Sequence, residues 1–145
     1  MRYFSLIILA FLVCACGTPR TAADKLFDVA ADFYPYNTAL GKGRAILFRV
    51  ELKKENIRSY KIDSFVVHGK QLGFNVKRTE TSIQLESEYY QETPEAQYEN
   101  GKIAKSPEDI NDPILVQHDF DPSWIVISGP EGRMRVAIRR WTEKQ

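Results

Sequence analysis

Cysteine is almost absent from this sequence. The chain has two cysteines, Cys14 and Cys16, and both lie at the end of an apolar N-terminal stretch. A domain formed by the residues after them can contain no internal disulfide, no cluster of thiolate metal ligands and no cysteine nucleophile. The cysteines therefore bear on targeting alone, and an ordinary hydrophobic core has to hold the fold together.

An excess of charge of either sign is also missing. The 145 residues include 20 Lys and Arg against 19 Asp and Glu, a formal net charge of +1. Because nucleic-acid-binding proteins normally carry a clear excess of Lys and Arg, this balance argues against nucleic acid as a partner. Histidine is scarce as well, since His68 and His118 are the only two and lie far apart in sequence. We therefore predict no metal site and no cofactor.

The first fifteen residues have the architecture of a signal peptide. Arg2 supplies a positive charge, residues 3–13 are apolar, and this run is too short for a transmembrane helix of about 20 residues. The stretch that closes it is Val13-Cys14-Ala15-Cys16-Gly17. This stretch resembles the lipobox of bacterial lipoproteins, which implies cleavage after Ala15 and a lipid on Cys16. The alternative is an ordinary secretory leader cut after Ala15 or a nearby small residue.

The resemblance to bacterial lipoproteins also implies where the chain resides. Such proteins carry a diacylglyceryl thioether, commonly with an added N-acyl chain such as palmitate, on the acceptor cysteine. Two or more acyl chains give stable anchoring, because each buried methylene contributes about 0.8 kcal/mol. The mature protein is then expected to be attached to a membrane of the cell envelope without spanning it. Gly17 after Cys16 favours the outer membrane over the inner one, on either its periplasmic or its surface face.

Residues 16–42 are expected to form the lipidated cysteine and a tether. Within them, Leu26, Val29, Ala30 and Phe33 recur at helical spacing after Thr21, which predicts a short amphipathic helix over residues 21–33. The equally favoured alternative is an extended tether that docks an aromatic side chain on the domain.

From residue 43 onward the hydrophobic period is two, which is typical of strands that are buried on one face. The first strand is predicted over residues 44–53. Further strands are predicted over residues 62–68, 72–77, 82–90, 114–120, 124–128 and 133–141, with hairpin turns at 69–70 and 129–132. About seven short strands with regular turns predict an all-β fold, an antiparallel immunoglobulin-like β-sandwich over residues 43–145.

One long segment does not follow the strand pattern. Residues 91–112 are polar and acidic and contain Pro94, Asn100-Gly101 and Pro107. This composition predicts a long loop. Loops of that length are uncommon in compact domains and are often either functional or disordered.

The last predicted strand carries the candidate binding residues. Arg133, Arg135, Arg139 and Trp141 alternate with apolar residues that are expected to enter the core. Arginine suits bidentate contacts with carboxylates and phosphates, so this face predicts a docking surface for an anion or an acidic partner. Two alternatives are structural. The charges could protect a sheet edge from aggregation, or the acidic residues of 86–112 could cover them.

The turn and strand signals from Gly41 through Gly69-Lys70 to the closing hairpin resemble those of small uncharacterised bacterial lipoproteins. The resemblance implies a fold and a location, and it carries over no site residues. We predict a non-enzymatic binding or interaction domain whose partner is an envelope protein or polysaccharide, with no catalytic residues. The alternatives are a carbohydrate-active or other hydrolase that uses acidic loop residues or His118, and a structural envelope protein.

Overall fold

The computed structural model describes residues 25–38, 43–92, 97–99, 102–105 and 112–145. The strands are β1 (Asp28–Asn37), β2 (Gly43–Lys53), β3 (Lys61–Val67), β4 (Lys70–Leu72), β5 (Asn75–Arg78), β6 (Ser82–Glu92), β7 (Gln97–Glu99), β8 (Lys102–Lys105), β9 (Ser123–Gly129), β10 (Gly132–Ile138) and β11 (Thr142–Glu143). A 3₁₀ turn (Ile57–Ser59) and helix α1 (Pro113–Val116) connect them. Within these described ranges, no helix has the length and apolar character needed to cross a membrane.

Nine of the strands form two sheets that pack face to face. Sheet A has the order β11-β1-β2-β6-β5, sheet B has the order β10-β9-β3-β4, and β7 pairs with β8 separately. The order β1-β2-β6-β5 matches strands A, B, E and D of an immunoglobulin domain, and β10-β9-β3-β4 matches strands G, F, C and C′. The predicted all-β, immunoglobulin-like sandwich is therefore confirmed, with about nine strands in place of about seven.

The core lies between the two sheets, as the alternating pattern of the first predicted strand requires. Phe48 at the centre of β2 is fully buried, and its ring contacts Phe65 of β3 at a centroid distance of 6.2 Å. Sheet B adds Ile125 and Ile127 from β9, both fully buried. These inward side chains form one continuous cluster with residues from both sheets, which is the main source of stability because the described residues include no cysteine.

The short helix predicted over residues 21–33 is wrong for residues 28–33, which lie in β1. Val29 and Phe33 fit a helical and a strand period equally well, so the sequence pattern did not decide between them. The structure pairs β1 with β2 from Asp28 opposite Lys53 to Asn37 opposite Arg44. This ladder pairs one edge of β1 along its whole length, and β1 becomes part of the sandwich.

The strand predicted over residues 114–120 is also wrong, because helix α1 begins there. The carboxylate of Asp112 accepts a hydrogen bond from the backbone N–H of Ile114 at 2.9 Å, as an N-cap does. Pro113 occupies the first helical position, where its missing N–H costs nothing. Ile114 and Leu115 are buried, so their apolar character reflects one side of a helical turn rather than a strand.

Two other predicted strands are shorter than their sequence patterns. The hairpin around Gly69 is confirmed, since β3 pairs with β4 and Gly69 has φ +73°. The run over 72–77 is divided, however, because β4 ends at Leu72 and β5 pairs with β6 in the other sheet. The last run ends at Ile138, and the following residues cross to β11 in sheet A.

The predicted loop over residues 91–112 lies partly outside the described residues. Of the described part, Gln91 and Glu92 complete β6, and Asp112 caps α1. Strands β7 and β8 pair with each other, so this part of the predicted loop is a two-stranded ribbon.

A glycine in the β9–β10 turn region is required by close packing. A Cβ atom on Gly129 would overlap the ring of Tyr60, which is buried and whose hydroxyl donates to Glu131 at 2.6 Å. We predict that Gly129→Ala lowers the free energy of unfolding by about 1–3 kcal/mol. Gly73→Ala is the matched control, because a Cβ there meets nothing within 4 Å. Urea denaturation of both variants measures the difference, and equal stabilities would contradict the packing argument.

Candidate binding face on sheet B

The outer face of sheet B holds two of the predicted arginines. Along β10, Val136 and Ile138 are buried in the core, while Arg133 and Arg135 are exposed on the opposite face. In the register with β9, Arg133 lies opposite Ser128, and Arg135 lies opposite Val126. The alternation predicted for this segment is therefore present, and it places both guanidinium groups at the solvent side of the sheet.

The centre of this face is a stacked pair of side chains. The guanidinium carbon of Arg135 lies 3.5 Å from the ring centroid of Trp124 in β9. Stacking of this kind is attractive because the ring face is electron-rich, and it leaves the N–H groups of the arginine available at their edges. Val66 of β3 lies opposite Trp124, and Val126 lies opposite Arg135, so each member of the pair has an apolar neighbour.

A second arginine on this face has a carboxylate partner. Nε of Arg133 lies 3.5 Å from Oδ2 of Asp63, and the hydroxyl of Ser128 donates to the same oxygen at 2.5 Å. Asp63 lies where the register between β3 and β9 shifts, and such an irregularity redirects a side chain. Because the Arg133 side chain is 70% exposed, water screens this ion pair and its contribution to stability is small.

The described outer face of sheet B is cationic. Lys61 of β3 lies opposite Ser128 at the same end as Arg133, and Arg135 lies further along. This face therefore has three cationic side chains, those of Lys61, Arg133 and Arg135, and one carboxylate, that of Asp63. A surface of this sign attracts anionic groups and repels cationic ones.

The structure does not bring Trp141 to the arginines. Its ring is half-buried and packs against the core rings of Phe48 and Phe120, at centroid distances of 5.1 and 5.5 Å. The reason is that β10 ends at Ile138, so the alternation that would place Trp141 beside Arg135 stops before it. Arg139 lies just beyond the strand and is exposed, outside the β9–β10 register.

Sequence reasoning did not identify the other members of this face that carry charge, hydrogen bonds or a ring: Lys61, Asp63, Trp124 and Ser128. Trp124 and Ser128 occupy alternate positions of the run over 124–128, on its outward face. This alternation is the sequence signal that could have identified them. Nothing in the sequence indicates that Asp63 reaches Arg133, because the contact crosses two strand pairings. The carboxylate on Arg133 therefore comes from β3 and lies outside the acidic segment 86–112.

Both histidine side chains contact residues that follow helix α1. Nδ1 of His68 lies 3.6 Å from Oδ2 of Asp119, and the His118 ring stacks on Phe120 at a centroid distance of 6.2 Å. Across the part of the chain that the structure describes, no group of three His, Cys, Asp or Glu side chains is placed to hold a metal ion. Cys16, the predicted lipid acceptor, lies outside the described residues.

Comparisons with known proteins give this chain no relative. A scan against profiles of protein families, a search of curated proteins and a search of solved structures each found no match. An immunoglobulin-like topology hosts many unrelated functions. The function must therefore be argued from the chemistry of the surfaces themselves.

Proposed function

We propose that this protein is a lipid-anchored lipoprotein of the cell envelope whose β-sandwich binds another envelope protein without catalysing a reaction. The lipobox-like stretch that ends at Cys16 supports the anchor, and Gly17 supports the outer membrane. Residues 17–27 would then link the lipid to the start of β1 at Asp28. The sandwich would stand at the membrane surface as a soluble binding unit.

The observation that carries the binding proposal is the stack of Arg135 on Trp124 at the centre of the outer face of sheet B. Trp and Arg are the residue types that most often dominate the energy of protein interfaces, particularly when apolar neighbours exclude water around them. Val66 and Val126 supply those neighbours. The partner that fits is a protein whose apolar patch is surrounded by carboxylates, because Lys61 and the arginines make this face cationic.

The hydrogen bonds on this face support binding rather than catalysis. The Ser128 hydroxyl donates to Asp63, so its proton is directed at a carboxylate that already contacts Arg133. A serine nucleophile usually needs a base such as histidine within hydrogen-bond reach. His68 and His118 instead contact Asp119 and Phe120.

A crosslinking experiment in the producing cells tests this proposal. A photoreactive residue replaces Val126 on the outer face of sheet B, or Glu51 on the outer face of sheet A, in the full-length chain. We expect one dominant protein adduct from position 126 and none of that mass from position 51. Arg135→Ala should weaken the interaction about tenfold or more, and added salt should weaken it further, because both remove attraction to carboxylates.

Arg58→Ala is the matched control for the loss of an arginine. Arg58 is 69% exposed and pairs with Glu80, away from the Trp124 stack, so its removal should leave the adduct unchanged. An adduct at position 126 that survives Arg135→Ala, or the absence of any adduct there, overturns the binding proposal.

A further inference from the structure

The outer face of sheet A carries exposed tyrosine rings at one end. Tyr36 of β1 and Tyr90 of β6 lie on either side of Ala45 of β2 in the strand register. They are 43% and 44% exposed, which places them among the most exposed large hydrophobic side chains that the structure describes. Neither ring is needed in the core, so their role has to be sought at the surface.

Both rings lie flat against the sheet. The Tyr36 hydroxyl donates to Glu88 in β6, two strands away, so the ring extends across β2 above Ala45. This explains why Ala45 is only 1% exposed although its side chain is on the outer face. A Cβ on Gly43 would lie 2.6 Å from the Tyr90 ring, which means that the Tyr90 ring packs directly on the backbone of Gly43. Small residues at positions 43 and 45 thus leave room for a flat aromatic platform.

A polar groove continues the platform along the sheet. Tyr34 lies two residues before Tyr36 on the same face, and Nη1 of Arg49 donates to its hydroxyl oxygen at 3.3 Å. The groove has a volume of about 270 Å³. The polar side chains that line it are Asp32, Tyr34, Arg49, Glu51, Gln84 and Glu86. One half of this face therefore offers ring surfaces, and the other half offers planar hydrogen-bonding groups.

The carboxylates of this face are already compensated within the protein. Glu88 accepts the Tyr36 hydroxyl, and this hydrogen bond raises the pKa of Tyr36 to about 12, so the phenol stays neutral at physiological pH. Glu86 pairs with Arg49 at 3.0 Å, and Glu51 pairs with Lys53 at 3.2 Å. Each of these three carboxylates already has a hydrogen-bond or ionic partner within the protein, which favours a neutral ligand rich in hydroxyl and amide groups over an ion.

Sugar rings have the matching chemistry. The axial C–H groups of a β-linked pyranose form an apolar face that stacks on an aromatic ring, while its hydroxyls point to the sides. The Cα atoms of Tyr36 and Tyr90 are two strand spacings apart, about 10 Å, and both rings lean over β2 between them, so one extended chain can contact both rings. Tyr36 is eight positions after Asp28 in β1, which places the platform about 26 Å along the strand from the start of β1.

We propose that this tyrosine platform binds the glycan strand of peptidoglycan, a β-1,4-linked chain of N-acetylhexosamines. The proposal concerns a different face from the protein-binding surface on sheet B. It rests on the proposed function only for the envelope location. At that location, the β-linked glycan that the protein can reach is the peptidoglycan of the cell wall. The protein would then be held on a membrane by its lipid and would bind the cell wall through sheet A.

The test uses the full-length lipoprotein purified in detergent and insoluble peptidoglycan sacculi as the probe. We expect the protein to sediment with the sacculi in a saturable manner. Tyr36→Ala and Tyr90→Ala should each weaken binding about fivefold, and the double variant more strongly, because each removes one stacking ring. Tyr36→Phe and Tyr90→Phe keep the rings and should retain most of the binding. Thermal unfolding of each variant checks that the alanine variants remain folded.

The controls separate this proposal from the proposed function. Trp124→Ala alters only the sheet B face and should bind sacculi normally. Sedimentation that is unchanged in the double alanine variant, or absent from the native protein, overturns the glycan proposal and leaves the crosslink at position 126 as an independent result. Equal binding to microcrystalline cellulose, which lacks acetamido groups, would overturn the assignment to N-acetylhexosamines.

Discussion

Trp141→Ala is expected to lower the free energy of unfolding by about 3 kcal/mol or more, whereas Trp124→Ala should lower it by less than about 1 kcal/mol. The Trp141 ring contacts Phe48, Phe65 and Phe120 between the sheets, so its removal leaves a cavity in the aromatic core. Trp124 lies on the outer face, where its loss removes chiefly the stack with Arg135.

The conservative variant Trp141→Phe refines this prediction. Nε1 of Trp141 is buried without a hydrogen-bond partner, so phenylalanine loses no bond and removes an unsatisfied donor. We expect a change of less than about 1.5 kcal/mol, since most ring contacts remain. Urea unfolding followed by circular dichroism suits all three variants, because the signal does not depend on tryptophan. If Trp141→Ala proved as mild as Trp124→Ala, Trp141 would not be part of the core.

The same pair of tryptophans separates stability from binding. Trp124→Ala should reduce the crosslink from position 126 while the domain stays folded. Trp141→Ala should affect that crosslink only through the fraction of protein that unfolds. This expectation assigns partner binding to Trp124 and a structural role to Trp141, although the sequence pattern indicates Trp141 as a binding residue.

The fold class could be predicted because one strand and its turns repeat a simple physical pattern. In β2, the buried residues Ile46, Phe48, Val50 and Leu52 occupy every second position, a period of two that a helix does not have. The glycines at 69 and 132 have positive φ and mark two tight turns. Alternation and turn chemistry are local properties, so they can be read without knowing the neighbouring strands.

The errors arise where the local signal was ambiguous or ended early. Val29 and Phe33 fit both the helical period and the strand period, and the segment forms a strand because it pairs with β2. At Asp112-Pro113 the sequence does contain a helix start, but the apolar residues that follow also alternate. The chain crosses from sheet B to sheet A between β4 and β5 because Asn75–Arg78 pairs with β6. This pairing is a tertiary contact that no local sequence pattern indicates.

The candidate sites were predictable only where one strand carries them. The outward position of Arg133 and Arg135 follows from the alternation of side chains along β10 alone. The stack with Trp124 requires the register between β9 and β10, and the tyrosine platform requires Tyr36, Ala45 and Tyr90 from three strands. Residues so far apart in sequence meet only once the topology is known.

Replacing Cys16 by serine is expected to abolish lipid attachment completely. Serine has no thiol to accept the diacylglyceryl group, so cells grown with labelled palmitate should label the native protein and leave Cys16→Ser unlabelled. Membrane fractionation alone would not decide the matter, because an unprocessed apolar leader could itself hold the variant on the membrane. Labelling and the mass of the mature chain are therefore the informative measurements.

Cys14→Ser is the matched control, since it removes the neighbouring thiol and keeps the proposed acceptor. It should be labelled like the native protein, with a mature chain that begins at Cys16. Loss of label in Cys14→Ser alone would move the lipid to Cys14, and absence of label from the native protein would make the chain an ordinary secreted protein. The second result would end the proposed link between membrane and wall, because stable anchoring needs acyl chains, each methylene contributing about 0.8 kcal/mol. The first would leave that link in place, because a lipid on Cys14 would also anchor the chain.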